Sequence, residues 1–110
     1  MFKKATIKEY IKITDPTGKI LQELGFTVEI EMEGTQEIKR MQIHLTGDQL
    51  AKEVPGNSTE KSVIWGVIMR YVRENYSIWA KEKGAKQTSV KFTASEDIIN
   101  EFGTHIINTL

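Results

Sequence analysis

Two turn signals, Asp15-Pro16-Thr17-Gly18 and Gly34-Thr35, divide the first 46 residues into three segments that alternate apolar and polar side chains. In the first, Asp can bond back to the backbone, Pro presets its own φ, and Gly accepts a positive φ. Pairing Thr14 with Lys19 around it sets Ile13 against Ile20, Ile7 against Phe26 and Ala5 against Val28. In the second, Gly at the first central position suits a two-residue type II′ hairpin. That loop pairs Glu33 with Gln36 and sets Met41 against Val28, Ile43 against Phe26 and Leu45 against Leu24. Both turns independently send the apolar residues of three strands to one side, and a slip of one residue would reverse the match. The expected result is a meander with one oily face and one wet face.

On the wet face the expected rows are Lys4–Glu29–Arg40, Thr6–Thr27–Gln42 and Lys8–Gly25–His44. Glu9 is the misfit, because strict alternation points it inward between Ile7 and Ile11. An isolated buried carboxylate is costly, so a bulge at Glu9-Tyr10 is expected to turn it out. A carboxylate that stayed inside would have a raised pKa and would mark a site.

Beyond the meander, Thr46 and Gln49 have capping-box spacing ahead of a short helix that Pro55-Gly56 ends. Asn57 and Glu60 open a long helix running to about Gly84. Residues 88–94, TSVKFTA, read as a strand with Val90 and Phe92 on one face. Thr93 and Glu96 then cap a last helix carrying Ile98, Ile99, Phe102, Ile106, Ile107 and Leu110 at amphipathic spacing. The long helix brings the chain back, so the fourth strand should run parallel to the first and third. The fold class is α+β. It is a two-layer domain over residues 1–110 with a mostly antiparallel four-stranded sheet, in β-β-β-α-α-β-α order, and helices packed on one face.

The long helix carries more oil than a sheet can cover. Its apolar arc spans about 240°, against about 100° for an ordinary surface helix. One side meets the sheet. The other, Trp65, Met69, Val72 and Tyr76, needs a cover, either the C-terminal helix or a second copy of the chain. Aromatic and Met-rich patches mark interfaces, and these four residues are the candidate partner interface of a homodimer.

Composition narrows the function classes. Fifteen basic and fifteen acidic residues give zero formal charge, which argues against a dedicated nucleic-acid binder. Cysteine is absent, which removes disulfides, thiolate chemistry and cysteine-based zinc sites. The start, MFKKATIKEY, has no apolar run of a signal peptide. No stretch approaches the roughly twenty apolar residues of a membrane span. A cytoplasmic, soluble protein is expected. His44 and His105 are far apart, and no hydrolase, phosphate-loop, dinucleotide or metal-ligand motif occurs, so the sequence indicates no catalytic residue, metal or cofactor.

The leading expectation is therefore a small non-enzymatic interaction or accessory module, self-associating through the long helix. The alternative uses the open sheet face. There Lys8 and His44 flank the gap at Gly25, with Tyr10 one row away, as a single-stranded nucleic-acid or nucleotide site. A small enzyme using Glu9 or His44 is the third expectation.

Overall fold

A computed structural model describes residues 2–32, 36–82 and 91–109. The elements follow in the order β1 (Phe2–Thr14), β2 (Leu21–Met32), β3 (Ile38–Thr46), α1 (Gly47–Glu53), a 3-10 turn (Pro55–Asn57), α2 (Lys61–Glu82), β4 (Lys91–Ala94) and α3 (Glu96–Thr109). Together they make an α+β fold in which three helices pack on one face of a four-stranded sheet ordered β3-β2-β1-β4. The β1–β2 and β2–β3 pairs are antiparallel, and β4 joins β1 in parallel, as the returning helix requires. At about 3.3 Å per residue β1 alone spans about 43 Å, which accounts for the longest of the molecule's 47 × 27 × 20 Å dimensions.

The β2–β3 register is the expected one throughout, with Leu24 opposite Leu45, Phe26 opposite Ile43, Val28 opposite Met41 and Glu29 opposite Arg40. The turn at Gly34-Thr35 itself lies outside the described residues. The β1–β2 register differs. Ile7 stands opposite Val28, and Thr14 opposite Leu21. The cause is the side chain of Asp15. Its Oδ1 accepts the amides of Lys19 and Ile20 at 3.2 and 3.1 Å, while Asp15 N–H donates to the Ile20 carbonyl at 3.0 Å. The loop therefore closes beyond Lys19. The shift near Ile7 is of two residues, an even number, so the same side chains still face the core there.

A bulge interrupts β1 between Lys8 and Ile11, and Glu9 adopts a φ of 57°. The bulge turns Glu9 out, as expected. It also reverses the alternation downstream, which the sequence reading did not carry through. Tyr10 and Lys12 turn to the helix side, while Ile11 and Ile13 turn to the wet side and remain 48% and 44% exposed. Lys12 keeps its ammonium group at the rim, donating to Glu101 at 3.2 Å and to the Thr59 carbonyl at 3.5 Å. A second irregularity, between Ile13 and Thr14, buries Leu21 and leaves Ile20 half exposed.

The core lies between the sheet and the helices. Ala5, Ile7, Leu24, Phe26, Val28 and Ile30 meet Leu50, Val54, Ile64, Val67 and Ile68. The proposed interface residues of α2 belong to this core. Trp65, Met69, Val72 and Tyr76 are 5–8% exposed in the single chain. They are therefore corrected from partner interface to interior. The cover is internal: the Trp65 ring lies 5.7 Å from Phe92 of β4 and 5.3 Å from Phe102 of α3. Phe102 of the C-terminal helix and Phe92 of the fourth strand cover the arc at Trp65, while Ile78, farther along it, stays half exposed.

The expected caps are replaced by other partners. Thr46 precedes α1 without a side-chain cap bond. Asn57 does not cap α2; its side-chain amide donates to the Leu21 carbonyl at 3.0 Å and ties the turn to β2. Thr93 lies within β4, its hydroxyl 2.9 Å from that of Thr6, and Ser95 accepts the first amide bond of α3, from Ile99 at 3.0 Å. Val90 and the helix end near Gly84 lie outside the described residues.

Candidate functional site: the open sheet face

The face of the sheet away from the helices carries the described residues that sequence reasoning singled out for chemistry, with one exception. Lys8, Gly25 and His44 lie on it. Tyr10 does not. The bulge sends its ring to the opposite side, where it packs edge-on against Phe102 with centroids 5.4 Å apart. Burial, and secondarily the negative charge of Glu101, raises the Tyr10 phenol well above its ordinary range. It stays neutral and cannot serve as a stacking platform.

The rows of this face follow from the pairing. Thr6, Glu29 and Arg40 form one, Lys8, Thr27 and Gln42 the next, and Ile11, Gly25 and His44 the third. Lys4 accordingly stands opposite Glu31, not Glu29. Gly25 is thus flanked by Ile11 and His44, and Lys8 is displaced by a row. A β-carbon at Gly25 would lie 3.6 Å from Ile11 Cβ and 3.7 Å from His44 Cδ2, ordinary contact distances. The missing side chain leaves a shallow groove of about 250 Å³, with Ile11 and His44 as walls and Glu9, Glu23, Thr27 and Gln42 around it.

Charges on this face are paired locally. Lys8 meets Glu29 at 2.8 Å, and Arg40 reaches Glu9 at 2.7 Å. His44 Nε2 contacts the Glu23 carboxylate. Glu9 also accepts the Thr27 hydroxyl at 2.8 Å. That hydroxyl first, and Arg40 next, hold the Glu9 carboxyl below its ordinary value. The reason lies in the bulge. Its left-handed backbone lays Glu9 over Thr27, a side chain only 2% exposed, whose donor then has a partner.

A carboxylate held below its ordinary value is a weaker base, and the Thr27 hydroxyl beside it donates to that carboxylate. Among the described residues no cluster of three or more His, Asp or Glu side chains is placed to hold a metal ion. No helix among them is long and apolar enough to cross a membrane. The groove has one outward isoleucine, Ile11, a floor without a side chain at Gly25, and fixed polar groups, with Ile13 exposed in the next row.

Sequence reasoning missed Ile11 and Ile13 as exposed residues, although the signal was present. Once Glu9 is turned out by one extra residue, everything after it changes face. Comparison with known proteins adds no relative: no protein family matches the chain, and neither a curated protein nor a solved structure does.

Proposed function

We propose that this chain is a small non-enzymatic interaction module that recognises a protein partner through its open sheet face. The reading moves the interaction surface away from α2, whose expected interface residues are interior. One observation carries it. The bulge at Glu9 turns Ile11 and Ile13 to solvent on a rigid sheet, while the neighbouring Lys12 takes a place on the helix side. Local propensity would have placed them the other way, and departures from local consistency concentrate at functional surfaces. Apolar side chains beside a groove and ringed by paired charges have the make-up of a small interface core with a polar rim.

Binding of single-stranded nucleic acid at Lys8, Tyr10, Gly25 and His44 draws less support. Lys8 and Arg40 are engaged by carboxylates, and Tyr10 faces the core. Such binding would need free cations and an exposed ring.

A photo-reactive residue at Ile13 tests the proposal. In the native cell it should give one discrete protein adduct that disappears when Ile11→Asp is added. The same label at Ser62, exposed on the helical side, should give none. The purified partner should bind the unlabelled protein and lose at least tenfold in affinity for Ile11→Asp. Equal adducts from both positions, or unchanged affinity, would overturn the reading. Binding of mixed oligonucleotides at low salt, falling as salt rises, would replace it with the nucleic-acid alternative.

A further inference from the structure

Resting on that reading, we infer that the protein partner seats an arginine side chain in the slot over Gly25. The width of the slot follows from the missing side chain. A β-carbon at Gly25 would lie 3.6 Å from Ile11 Cβ on one side and 3.7 Å from His44 Cδ2 on the other. Both are ordinary carbon contact distances, so at that depth the two walls leave room for one layer of atoms. Backbone closes the bottom, with the Ile43 carbonyl oxygen 3.6 Å from the same point. A branched or bulky side chain does not enter such a slot. An unbranched chain with a flat end does.

Charge selects among the thin groups. The carboxylates lining the groove are those of Glu9 and Glu23. Arg40, at 2.7 Å, answers Glu9. Glu23 meets the imidazole of His44, which the chain's formal charge counts as neutral at pH 7. One negative charge is therefore left over, at Glu23, whose side chain is 27% exposed. Lysine and arginine both bring the complementary charge. Arginine fits the slot better, because its planar guanidinium is weakly hydrated and needs no polar neighbour above or below its plane. An ammonium is compact and strongly hydrated, and Ile11 gives it nothing in place of water. In the seated arrangement the methylene stem lies on Gly25 between Ile11 and His44, and the guanidinium N–H groups donate to the Glu23 carboxylate. A nucleobase is also flat, but the phosphate it brings would face the same carboxylates.

The test titrates the isotope-labelled protein with N-acetylargininamide, N-acetyllysinamide and N-acetylcitrullinamide, the last a flat but neutral isostere, and follows amide resonances by NMR. The arginine probe should shift Gly25 and His44 saturably in the millimolar range. It should bind about tenfold more tightly than the citrulline probe and about threefold more tightly than the lysine probe. Gly25→Ala fills the slot, yet its β-carbon meets its neighbours at ordinary distances and its φ lies outside the left-handed region. That variant should stay folded by circular dichroism and bind the arginine probe about tenfold more weakly. Glu23→Gln should bind the arginine and citrulline probes alike. No shift with the arginine probe, equal affinity for all three, or unchanged affinity in either variant would overturn the inference. The interaction reading is tested apart. A discrete Ile13 adduct that forms equally well with Gly25→Ala in the chain leaves a partner without an arginine in the slot, whereas no adduct at all removes the partner itself.

Discussion

Glu9 holds a left-handed backbone conformation that costs a residue with a β-carbon roughly 1–2 kcal/mol. Thr27 and Arg40 hold it there through its carboxylate. Its folded value lies below the ordinary 4.5, so the charged form is favoured by folding. The resulting stability is fully present above the ordinary value and is lost as pH falls through the lowered one. Asp15 behaves likewise below its ordinary 3.8, because the Thr17 hydroxyl and then the Ile20 and Lys19 amides bind its carboxylate. The urea midpoint should therefore fall as pH drops below about 4.5. Glu9→Gln should start lower at neutral pH and lose less on acidification. An identical acid loss in the variant would show that Glu9 does not contribute. The misfit of Glu9 was visible in the sequence because a carboxylate stood in an apolar alternation. The identity of its partners was not, because Thr27 and Arg40 reach it only through a register that Asp15 sets elsewhere.

At the scale of elements, the β2–β3 pairing was legible in full. A turn signal and two alternating strands specify a register when one face is buried. The β1–β2 hairpin was legible only in its faces near Ile7, since a side chain capturing two amides lengthens a loop in a way that residue type alone does not reveal. Helix α2 was legible as an over-wide apolar arc, and the C-terminal helix was one of its two expected covers, but the share taken by the fourth strand was not foreseen. Phe92 lies on a four-residue strand and Phe102 on a distant helix, and only tertiary packing brings both to Trp65. Met69→Glu should accordingly give an unfolded chain by circular dichroism, since Met69 is interior and a buried unpaired charge is among the most damaging substitutions. A folded variant would return Met69 to the surface. On the wet side of α2, Gly66 is exposed and a β-carbon there meets no atom within 4 Å. Gly66→Ala should raise stability by roughly 0.5–1 kcal/mol, read as a higher urea midpoint. A lower midpoint would show that the glycine has a packing role.

For the whole molecule, Phe102 is the joint between layers. It meets Tyr10 from the sheet and Trp65 from α2 while itself remaining wholly buried. Phe102→Ala should cost roughly 3–5 kcal/mol, with loss of the near-ultraviolet signal of Trp65; a cost under about 1 kcal/mol would mean that the layers are joined elsewhere. The sheet order β3-β2-β1-β4 also has a consequence in time. The first strand made is an inner one, and its second neighbour arrives last, with Thr6 and Thr93 separated by 87 positions. During synthesis the meander can zip while one side of β1 still lacks its strand and Trp65 lacks its cover. Closing so long a loop is slow relative to forming hairpins. The nascent chain should therefore pass through a stage in which three strands are paired and the ring of Trp65 is still wet, a stage at which a chaperone would find the most to hold.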